Sequence, residues 1–220
     1  MKLSESTISA LQNFAGINQS LVFKEGSVLK TISPQKTIFA EITIPESVEK
    51  EFAIYDLNQF LSALSLVKTP ELDLKDQSLS IGDGNGTSIE YWYADKSMII
   101  TPPDKSLNLP DVALEFEFEV SDLKQALQAA RVLSAPELMF VVSNGELFVQ
   151  AGDSRNNSAN FYQKKLADVS LDDQKFIFKV DNLKMMVLDY KVEVSTRGIA
   201  QFTSKDNTVI YFIATETKSS

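Results

Sequence analysis

Chemistry in this chain has to be done without the two most versatile catalytic side chains, because its 220 residues include neither Cys nor His. Thiol nucleophiles, imidazole bases, disulfides and Cys/His zinc sites are excluded on that ground alone. Carboxylates remain, 30 Asp and Glu against 21 Lys and Arg, for a net charge of -9. Asp83, Asp153, Asp172 and Asp173 could pair as the general acid and base of a hydrolase, or gather as oxygen ligands for a metal. With so many acids such pairs arise by chance, and no spacing sets one carboxyl against a partner that would raise its pKa. The glycine-rich Gly82-Asp83-Gly84-Asn85-Gly86 lacks the EF-hand spacing and its terminal Glu, and no Lys-Ser/Thr follows it as in a phosphate-binding loop. It reads as a hairpin turn. The expectation is a protein that is not an enzyme and uses neither a metal nor a cofactor.

The cations are better organised. Lys124, Gln128 and Arg131 fall at i, i+4 and i+7, one face of a helix whose other face carries Leu123, Ala126, Leu127 and Ala130. An acidic protein does not attract a polyanion over its whole surface, but a few cations gathered on one face can do so. The helix follows a strand, Phe116-Glu117-Phe118-Glu119-Val120, whose period of two changes to the helical period at Ser121, a good N-cap. Asp122 in the first turn and Arg131 in the last suit the helix dipole.

The same strand-to-helix corner recurs. Phe52 to Val67 and Phe176 to Val187 also run from an alternating strand through a polar cap into a helix; their leucines, Leu57, Leu123 and Leu183, stand 66 and 60 residues apart. Leu3-Ser4, leading into a helix with Ile8, Leu11, Phe14 and Ala15 on one side, is a looser fourth copy. Between the corners lie short strands: 21–23, 28–32 and 38–44, the last ended by Pro45, then 72–74, 78–81 and 89–93. In the second half come 138–143, 146–151, 159–162, 190–194, 199–203 and 209–214, with a fourth helix over 182–188. The polar tail 215–220 reads as frayed. The segment 94–111, with Pro102, Pro103 and Pro110, is a connector that contains one strand at 98–101 and divides the chain into domains 1–104 and 105–220. The N-terminus shows no signal peptide, and no apolar run approaches a membrane span.

On these residues the chain resembles the sliding clamps, the DNA polymerase processivity factors, of myovirus-type tailed bacteriophages. The likeness is carried by Met1-Lys2-Leu3-Ser4 with Asn13-Phe14-Ala15 and Ile17-Asn18, by Ala53-Ile54-Tyr55-Asp56-Leu57-Asn58 with Phe60-Leu61 and Leu64 to Val67, and by Asp122-Leu123 with Gln125 and Arg131. It implies an α+β DNA-clamp fold of two similar domains, each with two helices packed on antiparallel sheets. It also implies a homotrimeric ring around duplex DNA, bound topologically and without sequence specificity. An ATP-dependent loader, the C-terminal peptide of the DNA polymerase as partner, and the cytoplasm of an infected bacterium as workplace belong to the same picture, with no membrane involved.

The DNA-facing residues expected are Lys2, Lys124, Arg131 and Lys184. The first two helices offer only Glu5, Gln12, Asn58 and Ser62 on their outer faces, so the lining would be thinly basic. Partner binding is expected where the connector crosses the second sheet, at Leu107 and Leu109, together with Tyr211, Phe212 and Ile213 of the final strand, whose two faces are both apolar. A phage structural protein or a carbohydrate-binding, β-rich interaction protein is the alternative that composition leaves open.

Overall fold

A computed structural model of the chain describes residues 1–105, 107–156 and 158–216; residues 217–220 of the tail expected to fray lie outside them. The chain is an α+β protein of two compact units, Met1–Ser106 and Leu107–Ser220.

The first unit runs α1 (Glu5–Ile17), β1 (Leu21–Phe23), β2 (Gly26–Ile32), β3 (Ile38–Val48), β4 (Phe52–Ile54), α2 (Leu57–Ser65), β5 (Glu71–Leu74), β6 (Ser78–Gly82) and β7 (Ser88–Trp92). All its pairings are antiparallel: β1 with β4, β2 with β3, and β5-β6-β7 as a meander. Both helices start on side-chain caps, as their sequences suggest. The Ser4 hydroxyl accepts from the Thr7 amide at 3.2 Å and the Asp56 carboxylate from the Gln59 amide at 3.0 Å. Phe14, Phe23, Phe52 and Phe60 fill the core, with Phe23 stacked on Phe52 at 4.4 Å and set edge-on to Phe60. Pro45 does not end its strand. The register between β2 and β3 slips between Gly26 and Val28, where Gly26 faces Val48 but Val28 faces Thr43. Pro45 sits in the resulting bulge, where no ladder amide is required of it.

The second unit runs β8 (Leu114–Phe118), α3 (Val120–Leu133), β9 (Glu137–Ser143), β10 (Glu146–Gly152), β11 (Tyr162–Asp168), β12 (Gln174–Lys179), β13 (Tyr190–Ser195), β14 (Ile199–Ser204) and β15 (Val209–Ala214). One sheet has the order β11-β10-β9-β12; β15, β14, β13 and β8 pair in that order in another. Phe116, Phe118, Phe140, Phe178 and Phe202 meet between them at centroid distances of 4.8 to 6.4 Å.

Two expected elements are replaced. The fourth helix is a single 3-10 turn, Val180–Asn182, after which Leu183 and Met185 are buried and Lys184 is exposed, the alternation of extended chain. The main-chain groups of Met186 are taken up by side chains instead of a helix: its N–H donates to the Tyr211 hydroxyl at 3.2 Å, and its carbonyl accepts from the Tyr190 hydroxyl at 2.6 Å. The strand expected at 98–101 is absent; Lys96–Met98 is another 3-10 turn, closed by the Asp95 carboxylate. The strand expected at 159–162 begins where that range ends, at Tyr162.

Candidate functional site

Helix α3 is built as the cation-bearing helix its sequence describes. Leu123, Ala126 and Ala130 are buried on one side, while Lys124, Gln128 and Arg131 are exposed together on the other. Its start differs from the expectation. The helix begins at Val120, and the Ser121 side chain caps nothing; the first amide, that of Val120, donates instead to Asp189 Oδ1 at 2.7 Å, from a loop 69 residues away. That hydrogen bond holds the Asp189 carboxyl below the usual carboxylate range. The far end closes through Ser134 in the left-handed region at φ 51°, with the Ala135 amide returning to the Ala130 carbonyl. Asp122 is not a dipole residue in solvent. It is buried and ion-paired with Lys164 of β11, which ties the helix to that strand. No feature of sequence spacing connects residues 122 and 164, so this tie was invisible before the fold.

The other expected contacts are dispersed. Lys2 is exposed and pairs with Glu71 at 2.8 Å; Lys184 is exposed on the extended segment after the 3-10 turn. The outer faces of α1 and α2 present Gln12, Ser9, Asn58, Gln59 and Ser62, with no cation. Lys124 and Arg131 enter no ion pair among the described residues.

The expected partner site does not survive as drawn. Tyr211 and Ile213 have no exposed surface and Phe212 is buried as well, so no face of the final strand is an open groove. Its doubly apolar pattern reports burial on both faces. Leu107 and Leu109 are half-buried. An apolar pocket lies instead within the first unit, about 160 Å³ in volume. Leu21, Val22 and Val28 form one wall and Ile99, Ile100, Pro102 and Pro103 the other, with Lys24, Glu25 and Lys30 around them. The connector is strapped in place to make it. Ile99 packs with Val22 and Ala53, the Ala94 amide donates to the Ala53 carbonyl, and the Asn18 side-chain amide reaches the Ile100 carbonyl. Lys96 pairs with Glu51 and Lys24 with Asp104.

Two sheets have one guarded and one bare edge each. In the first unit β5 is covered by the start of the chain, where the Leu72 amide donates to the Met1 carbonyl and Lys2 bridges Glu71. In the second, β12 is covered by Glu216, whose amide donates to the Ile177 carbonyl. The opposite edges, β7 and β11, have no strand beyond them among the described residues. Each carries a large exposed aromatic: Trp92, 68% exposed, at the end of β7, and Phe161, 62% exposed, just before β11. Among the described residues there is no cluster of three acidic or other metal-ligating side chains, and no helix is long and apolar enough to cross a membrane.

Comparison with known proteins matches the chain in two consecutive pieces. Residues 2–101 fit the family model for the DNA polymerase processivity factor, and residues 115–217 that for the gp45 sliding clamp, C terminal. The sliding clamp of Vibrio phage KVP40 is 33% identical over 222 residues, 98% of this chain and 99% of that one. Among solved structures, PCNA from Thermococcus kodakaraensis superposes with a TM-score of 0.71 at 18% identity, over 96% of both chains. A. fulgidus PCNA, solved with the C-terminal region of FEN-1 bound, gives 0.70 at 14% identity, over 100% of this chain and 98% of that one.

Proposed function

The chain belongs to the sliding-clamp family of DNA polymerase processivity factors, and from that premise we propose that it works as a homotrimer closed head to tail through β7 of one copy and β11 of the next. The observation that carries this reading is the pair of bare edges. An uncovered strand edge invites pairing with another chain, and in both sheets the chain blunts one edge and leaves the other bare. The two bare edges are different surfaces, so their pairing is heterologous, and heterologous contacts that close make a ring. Sedimentation of the purified protein tests it: a trimer is expected, and a monomer throughout the micromolar range refutes it.

The function is that of a DNA polymerase sliding clamp. In the proposed ring Lys124 and Arg131 of each α3 face the duplex, with Lys184 and Lys2 as lesser contributors. Such contacts go to phosphates and carry no sequence information. The grip on DNA is topological, and catalysis has no part in it. An ATP-dependent loader opens the ring, and the setting is the cytoplasm of an infected bacterium, in keeping with the phage origin of the relative. The polymerase docks by an extended C-terminal peptide whose apolar anchors enter the pocket between Val28 and Ile99. The C-terminal region of FEN-1 bound to a structurally similar PCNA is a precedent for a partner's C-terminal segment as the docking element, and a few buried anchors would supply most of the affinity.

A further inference from the structure

One of the lysines that line the apolar pocket already holds a carboxylate of the chain itself. Asp104 follows directly on Pro102 and Pro103, which line the pocket, and its side chain is ion-paired with Lys24, which lines it too. Lys30, already bound to Glu41 at 2.8 Å, is close enough to act on the same carboxyl. The hydrogen bond from Lys24, then its charge, and less strongly the charge of Lys30 hold Asp104 below the usual carboxylate range. Lys24 and Lys30 line the pocket with Glu25, and each lysine already holds a carboxylate, Asp104 and Glu41 respectively, so a charge becomes available to a partner only by exchange.

The pair is also exchangeable. The Asp104 side chain is 85% exposed and that of Lys24 48%. An ion pair so open to water is weakly held, and a competing carboxylate positioned by other contacts can replace one partner. We propose that Asp104 is a built-in stand-in for a carboxylate of the docking partner: the pocket takes acidic peptides, in which an Asp or Glu beside the apolar anchors displaces Asp104 and takes over Lys24. The inference rests on the docking reading above and adds to it the charge of the partner and the residue that reads it.

The stand-in makes neighbouring substitutions act in opposite directions. Two short synthetic peptides with the same leucine and phenylalanine anchors, one carrying aspartates between them and the other asparagines, are titrated against the intact protein by fluorescence anisotropy. The aspartate peptide binds wild type more tightly than its asparagine twin, and the gap narrows as salt rises. Asp104→Asn, which frees Lys24, tightens the aspartate peptide about threefold, and Lys24→Gln weakens it about threefold, the scale of one exposed ion pair. The asparagine peptide responds to neither. Equal affinity of the two peptides for wild type, or shifts of the same sign in the two variants, overturns the stand-in. Val28→Asp separates that failure from failure of the pocket. If it abolishes binding while the charge variants change nothing, only the stand-in falls. If it leaves both peptides bound as before, or if neither peptide binds wild type, the docking reading falls and takes the stand-in with it.

Discussion

Trp92 is the side chain on which ring closure can be tested most directly. A tryptophan side chain offers up to about 250 Å², and Trp92 leaves 68% of its surface in water within one copy. Roughly 170 Å² is therefore available to a neighbour, worth about 4 kcal/mol if wholly covered at about 25 cal/mol per Å². An aromatic at the rim of a strand pair is covered by about half, so Trp92→Ala should cost about 2 kcal/mol per interface, about 30-fold in the dissociation constant. Trp92 points away from its own core, whose contacts on β7 are made by Ile89 and Tyr91, so the variant keeps its fold by circular dichroism. Sedimentation velocity across a dilution series then reads the shift, with Phe161→Ala expected to weaken assembly through the facing edge. It is also the only tryptophan in the chain, so wild-type emission should move to shorter wavelength as the ring forms. A Trp92→Ala protein that dissociates at the wild-type concentration, or a Trp92 emission unchanged between assembled and dissociated protein, would refute the pairing of β7 with β11.

Three further outcomes follow from the same geometry. Replacing Lys124 and Arg131 together by Glu should leave the trimer intact and its melting temperature within a few degrees, while processivity falls and the log–log salt slope for duplex association flattens by nearly one unit per lost phosphate contact; an unchanged slope would place the DNA elsewhere. Asp122→Ala leaves Lys164 without its buried partner, and because Lys164 can swing into water the loss should be about 1–2 kcal/mol in urea unfolding rather than the full cost of a stranded buried charge. Asp189 is held low chiefly by the Val120 amide. A depressed carboxylate adds stability above its unfolded pKa, near 4, and loses that contribution as pH falls toward the folded value. Urea midpoints of wild type should therefore drop on acidification below about pH 4, and Asp189→Asn should show a smaller drop; parallel curves would remove the cap.

The elements that were legible in the sequence were those with a local cause. Ser4 and Asp56 cap helices because the amides they satisfy lie within one turn, and the alternation of Phe116, Phe118 and their glutamates needs only a sheet with one wet face. What went unread was supplied from a distance. The stretch after Val180 has helical residues, yet the hydroxyls of Tyr190 and Tyr211 take both main-chain groups of Met186, and extended chain results. Likewise, the apolar pattern of Val209 to Ala214 is shared by an open groove and a strand covered on both sides; only the fold shows that Tyr211 and Ile213 are covered. Spacing could show that Lys124 and Arg131 share a face, but not that the pocket would lie at Val22, Val28 and Ile99, which the chain brings together from three separate segments.

How an acidic chain handles an acidic polymer follows from where its cations are spent. The strand and connector lysines are largely committed: Lys30 to Glu41, Lys75 to Glu90, Lys96 to Glu51, Lys164 to Asp122 and Lys165 to Glu146 and Asp168. A lysine already neutralised by a neighbour adds little to the field that a phosphate sees, whatever its place in the chain. Lys124 and Arg131 have no such partner among the described residues, and α3 presents them one helical turn on either side of the neutral Gln128. The rest of the surface, at net negative charge, repels the duplex. In a closed ring that repulsion is no handicap, since escape is blocked by topology and not by affinity. In the proposed ring the two cations of each α3 would centre the DNA without holding it at any one phosphate. A surface that bound the backbone strongly would slow the sliding that the ring exists to permit. The acidic balance, which by itself argues against a nucleic-acid protein, is in a ring the condition for one that moves.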